Sequence, residues 1–161
     1  MQFYSTNRKT SPVSLREAVV RGLATDRGLF MPEVIRRFPP AFYQNMKEMT
    51  LREISFVVAE AFFGENVEAG KLKEIVDETL NFDIPLVQVA DNRYSLELFH
   101  GPTLAFKDVG ARFMARLLAY FNKQEGERQV NVLVATSGDT GSAVANGFLD
   151  VSGVKVFVLY P

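Results

Sequence analysis

The sequence predicts an α/β protein in which a helical N-terminal domain with short β elements precedes the start of a parallel βαβ domain. Apolar residues recur at spacings of three and four through much of residues 15–80, which is the period of helices with one buried face. Beyond Pro85 the chain alternates between short apolar runs and helical periodicity, the order typical of βαβ units. The last two runs are almost continuously apolar, as expected of parallel strands covered on both faces.

The composition indicates a folded chain. Its 161 residues are 47% hydrophobic and 23% charged, close to the averages of about 45 to 50% and about 25% for globular domains. The length suits one ordinary domain or a domain with a small appendage. Because the period changes near Pro85, we expect a helical domain at residues 1–84 and the first part of an α/β domain at residues 85–161.

Charge and residue types exclude several classes of function. The 18 basic and 19 acidic residues are interspersed and give a net charge of −1, so no basic face for nucleic acid is predicted. With no cysteine and one histidine, His100, a thiolate nucleophile, a zinc cage and a disulfide framework are not expected. No apolar run reaches the ~18 residues of a membrane span, and residues 1–11 lack the apolar core of a secretion signal. We therefore expect a cytoplasmic protein with neither a metal nor a membrane partner.

The first half of the sequence contains residues that predict where helices begin and end. The sequences at Ser14–Glu17 and Thr50–Glu53 have the form of capping boxes, which predict two helix starts. The helical pattern after the second box can stop at Gly64, and it repeats over residues 72–80. Residues 26–32 predict a turn into a short extended piece, and the prolines of residues 38–40 predict a break in any helix there.

The second half predicts a hairpin followed by alternating helices and strands. Its expected elements are strands at 86–90 and 93–99, a helix at 109–121, a strand at 130–135, a helix at 142–149 and a strand at 154–160. The sequence stops at Pro161 as the final strand ends. Since ligands in open α/β sheets bind beyond the carboxyl ends of the strands, we expect further residues to complete what is here an incomplete three-layer sheet.

The first candidate site is the segment 97–110, ELFHGPTLAFKDVG, in which Lys107 lies among apolar neighbours at the start of a helix. Loss of solvation and the positive end of the helix dipole both favour a neutral amine. A neutral lysine is a nucleophile suited to a Schiff base with a carbonyl substrate or with pyridoxal phosphate. The alternative is a surface lysine that pairs with Asp108 or another neighbour, which composition alone favours.

The second candidate site is the segment 135–141, ATSGDTG, between a predicted strand and a predicted helix. Its glycines allow a tight turn, while hydroxyl groups and helix N–H groups suit a carboxylate or phosphate. The spacing matches neither a Walker loop nor a dinucleotide fingerprint. Alternatively, Asp139 or Thr140 merely caps the helix. Because its charge repels an anion, the Asp139 carboxylate is better suited to capping or to accepting a hydrogen bond from a ligand hydroxyl.

Two neighbours of Lys107 have alternative interpretations. His100 could act as a general base near neutral pH, although a lone histidine beside a Gly-Pro pair is more often a hydrogen-bonded structural residue. The ring of Phe106 could lie against a planar cofactor, or it could fill the edge of the sheet.

These motifs resemble those of the threonine synthase family, which belongs to the fold-type II pyridoxal phosphate (PLP) enzymes. Residues 97–108 look like the family's cofactor-lysine segment, and residues 135–141 look like its substrate-side loop. Residues 27–32, RGLFMP, are similar to the helical domain that opens these enzymes. The resemblance thus covers essentially the whole chain as an N-terminal portion.

The resemblance also implies roles for individual residues. Lys107 would form the Schiff base with PLP, and Phe106 would lie near the cofactor ring. Asp139 occupies the place where many relatives have asparagine near the cofactor's 3-hydroxyl group. The residues implied around the substrate carboxylate are Ser137, Gly138, Thr140 and Gly141.

The reaction that the resemblance implies converts O-phospho-L-homoserine and water into L-threonine and phosphate, the last step of threonine biosynthesis. In the family, the loop that holds the cofactor phosphate follows the part matched here, so we expect this chain alone to bind PLP weakly and to be inactive. Two alternatives stay open: another fold-type II lyase such as a serine or threonine dehydratase, and a non-enzymatic anion-binding or assembly module. An N-terminal helical region disfavours the first, and tolerance of Lys107→Ala would favour the second.

Overall fold

The computed structural model describes residues 1–124, 126, 128–136 and 138–160. The chain divides into two compact units, Met1–Asp77 and Glu78–Pro161. The mixed α/β fold class is confirmed, because the chain combines helices with short strands in small sheets. The domain division at residues 84 and 85 stays a prediction.

The first unit combines a small sheet with helices. Strands β1 (Gln2–Ser5), β2 (Val13–Ser14) and β3 (Phe30–Pro32) form an antiparallel sheet in the order β2-β1-β3. The helices are α1 (Leu15–Arg21), α2 (Pro40–Asn45), α3 (Leu51–Phe63) and α4 (Ala69–Thr79), with a 3-10 turn at Met46–Glu48. Sequence patterning predicted only the extended piece that became β3, because strands as short as β1 and β2 carry almost no alternation to detect.

Both predicted helix starts are confirmed. The hydroxyl oxygen of Thr50 accepts from the backbone N–H of Glu53 at 3.3 Å, and the Glu53 carboxylate accepts from the backbone N–H of Thr50 at 2.7 Å. The hydroxyl oxygen of Ser14 likewise accepts from the backbone N–H of Glu17. The break predicted at residues 38–40 is wrong at its last position, because Pro40 is the first residue of α2. Proline is well suited there, since the first helical N–H has no intrahelical acceptor to lose.

The half-buried carboxylate of Asp26 ties β1 to the turn before β3. Asp26 accepts from the hydroxyl of fully buried Ser5 at 2.6 Å and from the backbone N–H groups of Gly28 and Lys9 at 3.0 Å each. The hydrogen bond from Ser5, followed by those from the two N–H groups, holds the pKa of Asp26 below its ordinary value, although loss of solvation opposes this. The ionised carboxylate is therefore the form that the folded unit stabilises.

We expect Asp26→Asn to make the stability of the chain less sensitive to acid. Because the folded pKa of Asp26 is depressed, its contribution is complete above the unfolded pKa and is lost as the pH falls through the folded pKa. Urea unfolding between pH 7 and pH 2.5 should show a smaller loss of unfolding free energy in the variant than in the wild type. Asp91→Asn, in an exposed hairpin turn, is the control; equal acid sensitivity in all three proteins would contradict the prediction.

The second unit contains the predicted hairpin and the βαβ arrangement. Its elements are β4 (Leu86–Ala90), β5 (Arg93–Leu96), α5 (Lys107–Gln124), β6 (Val130–Ala135), α6 (Asp139–Gly147) and β7 (Val154–Leu159). Strands β4 and β5 are antiparallel, whereas β6 and β7 are parallel. Strand β5 ends at Leu96, three residues before the expected Phe99, and α6 begins at Asp139 rather than near Ser142. None of the described helices is long and apolar enough to cross a membrane.

One face of the β6–β7 pair is covered within the described residues. Residues along both strands alternate between half-buried and exposed, and the side chain of Leu133 is 72% exposed. The sequence predicted cover on both faces. The apolar side chains that produced this prediction, such as Leu133, Phe157 and Leu159, lie on the open face.

Helix α6 packs closely on α5 where Gly147 meets Ala111. A Cβ atom added at Gly147 would lie 3.0 Å from the carbonyl carbon and 3.1 Å from the carbonyl oxygen of Ala111. Both partners are backbone atoms, so relief requires the two helices to move apart. The glycine thus sets the separation of α5 and α6.

We expect Gly147→Ala to lower the free energy of unfolding by about 1 to 3 kcal/mol, the usual cost of overpacking. The matched control is Gly110→Ala on α5, because a Cβ at Gly110 meets nothing within 4 Å and alanine raises helix stability by about 0.5 to 1 kcal/mol. Urea titration of both variants measures the difference. The assigned helix contact is wrong if Gly147→Ala is as stable as Gly110→Ala.

Candidate functional site

Lys107 is the first residue of α5, as the sequence predicted for the junction between loop and helix. Its Nζ atom lies 4.4 Å from the centroid of the Phe106 ring, within the range of a cation–π contact. Lys107 is half-buried, and Phe106 is 59% exposed. The amine and the aromatic face therefore lie together beside an open surface.

The loop before Lys107 is held by Asp108, the residue that the sequence offered as an ionic partner for the lysine. Asp108 is fully buried and turned into the loop. Its Oδ2 atom accepts from the backbone N–H of Thr103 at 2.9 Å, and its Oδ1 atom accepts from the Thr103 hydroxyl at 2.6 Å. Gly101 passes so close that an added Cβ would lie 2.6 Å from Asp108 Oδ2. The carboxylate of Asp108 thus lies against the loop of residues 101–106 and holds it through the hydrogen bonds from Thr103.

A second anchor of α5 is Arg112, which sequence reasoning missed. Its buried guanidinium donates to the backbone carbonyls of Glu78 at 2.6 Å and Thr79 at 3.3 Å, and to the side-chain oxygen of Asn81 at 2.9 Å. These carbonyls belong to the C-terminal end of α4, where the last carbonyls of a helix lack intrahelical donors. Burial, and then repulsion from Arg116, lower the pKa of Arg112.

The positions of Asp108 and Arg112 in the helical pattern of α5 could have identified both residues as buried anchors from the sequence. The buried stripe of α5 runs through Asp108, Ala111, Arg112, Ala115 and Leu118. Two charged residues thus occupy positions of the apolar helical face. Charged side chains are almost never fully buried unless they are paired, so this pattern indicates hydrogen-bonded anchors.

The second candidate segment is partly helical. Gly138 is the N-cap of α6, while Asp139, Thr140 and Gly141 form its first turn. The alternative interpretation, in which Asp139 or Thr140 is the N-cap of the helix, is therefore wrong. Gly138 has no side chain that could accept from the first N–H groups of α6. Ser137 lies outside the described residues.

Gly141 has a packing role that the sequence did not predict. It is buried, and an added Cβ would lie 2.6 Å from Cγ2 of Thr136 and 3.0 Å from Cγ1 of Val158. The first turn of α6 is therefore pressed against the carboxyl ends of β6 and β7. This is the edge of a parallel sheet at which ligands bind in α/β proteins.

We expect Lys107 and the start of α6 to lie on the same side of the second unit. Helix α6 connects two parallel strands and so runs opposite to them, and a helix that precedes such a strand, as α5 precedes β6, usually does the same. Two such helices run in one direction, and Gly147 packs on Ala111. At 1.5 Å per residue, Asp139 would then lie about 12 Å back from Gly147, and Lys107 about 6 Å back from Ala111.

His100 has the contacts of a structural residue. Its Nε2 atom lies 2.7 Å from an oxygen of Glu97, and its ring lies 4.8 Å from that of Phe99, centroid to centroid. These local contacts within residues 97–100 hold the imidazole beside the loop. They favour the interpretation of His100 as a hydrogen-bonded loop residue over that of a general base.

The residues at this edge fit PLP in chemistry. A primary amine suits its aldehyde, the exposed ring of Phe106 suits its planar ring, and the uncapped start of α6 suits an anionic group. In the part of the chain that the structure describes, no group of three or more acidic or histidine side chains could hold a metal ion. The amine of Lys107 and the exposed ring of Phe106 are by themselves suited to an organic cofactor that carries an aldehyde.

Comparison with known proteins gives one consistent result. A family model described as the threonine synthase N terminus matches residues 2–80. The threonine synthase of Serratia marcescens is 41% identical over 161 residues, which are 100% of this chain and 37% of that protein. That of Saccharomyces cerevisiae is 38% identical over 180 residues, covering 99% and 35%. The chain therefore spans little more than a third of the length of these relatives.

Solved structures agree with the sequence relatives. The crystal structure of threonine synthase from Escherichia coli has a TM-score of 0.90 at 39% identity, covering 100% of this chain and 37% of that one. The PLP-bound threonine synthase from Brucella melitensis has a TM-score of 0.93 at 35% identity, covering 100% and 36%. Fold and site define an α/β protein that opens with a unit of helices and short strands and continues into a parallel βαβ arrangement. Within that class, the chain belongs to the threonine synthase family and corresponds to its N-terminal part.

Proposed function

We propose that this chain is the N-terminal part of a longer PLP-dependent threonine synthase. The whole protein converts O-phospho-L-homoserine and water into L-threonine and phosphate, as a carbon–oxygen lyase acting on a phosphate ester. The carrying observation is Lys107 at the start of α5, with its amine 4.4 Å from the Phe106 ring. The cytoplasmic location expected from the sequence stays a prediction.

Each residue of the site has a distinct part in this proposal. When bound, PLP supplies an electron sink for negative charge that develops next to the substrate's amino group. Lys107 holds the cofactor through its amine and moves protons at the α and β carbons of the substrate. Phe106 and Asp139 would help to hold the cofactor, the first through its aromatic ring and the second by accepting a hydrogen bond from a cofactor hydroxyl group.

The start of α6 orients the substrate. Backbone N–H groups of the first turn, together with the hydroxyl of Thr140, bind the substrate carboxylate in the field of the helix dipole. Gly138 and Gly141 allow the backbone to approach the ligand closely, and Ser137 completes the set by resemblance. The match of residues 2–80 to a threonine synthase N terminus weighs against a dehydratase.

The test is to trap the cofactor on the longer protein. We expect incubation with PLP, borohydride reduction and peptide mapping by mass spectrometry to place the label on Lys107 in preference to other lysines. Uniform labelling of surface lysines in the longer protein would contradict the proposal and favour a binding module.

We expect the 161-residue chain alone to release no phosphate from O-phospho-L-homoserine above background. The chain covers 37% of its relatives' length. Apart from residues 135–141, its sequence contains no glycine-rich loop that could bind the cofactor phosphate. Loss of such a loop forfeits several charge-assisted hydrogen bonds of about 1.5 to 3 kcal/mol each. A phosphate-release assay comparing this chain with the longer protein measures the difference, and threonine formation by the short chain would overturn the prediction.

A further inference from the structure

The buried carboxylate of Asp108 has an unusual set of partners for a residue in the first turn of a helix. An acidic side chain there interacts favourably with the helix dipole even when it is exposed to water. Asp108 is instead fully buried and reaches back five residues to Thr103, which gives it two hydrogen bonds. Burial of a charge is costly unless it is hydrogen-bonded. In the structure, the two hydrogen bonds from Thr103 compensate for this cost. They also order the loop at residues 101–106.

That loop has a conformation that depends on the carboxylate. Leu104 has a φ of +57°, in the left-handed region that bulky residues seldom adopt. The backbone N–H of Leu104 donates to the carbonyl of Gly101 at 3.1 Å, and that of Asp108 donates to the carbonyl of Ala105 at 3.0 Å. Thr103 lies in the first of these turns and Asp108 in the second, so the hydrogen bonds between them fasten the two turns together.

The orientation of Lys107 follows from that of Asp108. Neighbouring residues of an α-helix project about 100° apart. With Asp108 directed into the loop, Lys107 must project from the adjacent face, where its amine lies against Phe106. A rotation at the start of α5 would therefore displace Nζ of Lys107 together with the carboxylate.

We propose that Asp108 and Thr103 are positioning residues, whose pair of hydrogen bonds holds the start of α5 so that Lys107 meets the cofactor in a productive direction. This inference rests on the proposed function. Neither residue needs to touch the cofactor. Misplacement of a reacting group by about 1 Å can cost about 100-fold in rate, so a local loss of the bonds has a measurable effect.

The test compares Thr103→Val with Thr103→Ser in the longer PLP-loaded protein. Valine has nearly the same shape as threonine and keeps the backbone N–H bond to Asp108, but it lacks the hydroxyl that donates to Oδ1 of Asp108. Serine keeps both hydrogen bonds. We expect the valine variant to lose about 10- to 100-fold in kcat, with KM within about threefold. The serine variant should stay within about threefold of the wild type in both constants.

Two readouts do not depend on activity. Hydrogen exchange of the backbone amides in residues 101–106 should be faster in Thr103→Val and unchanged in Thr103→Ser. The absorption band of the bound cofactor should shift in the valine variant, because Lys107 approaches it from another direction. A merely structural loss of stability would lower the unfolding temperature without moving this band.

The variant Asp108→Asn tests whether the hydrogen-bond geometry or the negative charge of Asp108 is needed to position Lys107. Its amide oxygen can accept from the backbone N–H of Thr103, and its NH₂ group can donate to the hydroxyl oxygen. We therefore expect this variant to retain the band position and most of kcat. A loss equal to that of Thr103→Val, with loop amides still protected, would overturn the positioning role in favour of a role for the charge.

The outcomes also distinguish this inference from the proposed function. If the wild-type longer protein carries the trapped cofactor on Lys107 while Thr103→Val matches Thr103→Ser in kcat, band position and amide exchange, only the positioning role is wrong. If the wild-type protein is not labelled on Lys107, the proposed function and the inference that rests on it are both wrong.

Discussion

Lys107→Ala is expected to abolish threonine formation by the longer protein, with a loss of at least about 10³-fold in kcat, and to release the cofactor during gel filtration. The lysine is proposed both to attach PLP and to transfer protons at the substrate, and general acid–base catalysis alone contributes about 10² to 10⁴-fold. Phosphate release and the absorbance of bound cofactor measure the two effects. Neither effect can be replaced by the neighbouring Asp108, which is buried against Thr103.

The matched control is Lys123→Ala, in the last turn of the same helix. Lys123 is exposed, so its loss should leave kcat within about twofold, as surface substitutions usually do. If Lys107→Ala kept the bound chromophore and its turnover, the assignment of Lys107 as the cofactor lysine would be wrong. A non-enzymatic binding module would then be the better interpretation of this fold.

Arg112→Ala is expected to lower the free energy of unfolding by about 3 kcal/mol or more. The substitution removes hydrogen bonds from a charged donor to the carbonyls of Glu78 and Thr79 and to Asn81. Such bonds contribute about 1.5 to 3 kcal/mol each, and the buried carbonyl of Thr79, left without this donor, adds to the loss. Urea titration of the 161-residue chain followed by circular dichroism measures the change.

Arg116→Ala is the control for this prediction. The guanidinium of Arg116 pairs with the exposed carboxylate of Glu78 at 2.7 Å, and exposed ion pairs contribute about 0 to 1 kcal/mol. It lies four residues from Arg112 on the same helix. Equal effects of the two substitutions would show that the guanidinium of Arg112 does not serve as the C-terminal cap of α4.

Local patterns predicted most of the elements and the position of Lys107. The capping box at Thr50–Glu53, the period of α3 and the apolar strands β6 and β7 are features of consecutive residues, so they could be detected without knowledge of the fold. The start of α6 was placed too late, because a glycine N-cap gives no polar signal of the kind that Ser14 and Thr50 provide.

The sequence by itself determined the fold class, the two candidate motifs and the family resemblance, because each resides in the types and spacing of neighbouring residues. Only the tertiary structure decided which groups the buried side chains of Asp108 and Arg112 contact, and at which glycines two elements pack closely. Their partners, Thr103 for Asp108 and the end of α4 for Arg112, are brought near by folding. Hydrogen bonds act over about 3 Å, so the contact between Arg112 and Glu78, which are 34 residues apart, leaves no periodic pattern to detect, and the bond from Thr103 to Asp108 depends on how the loop between them folds.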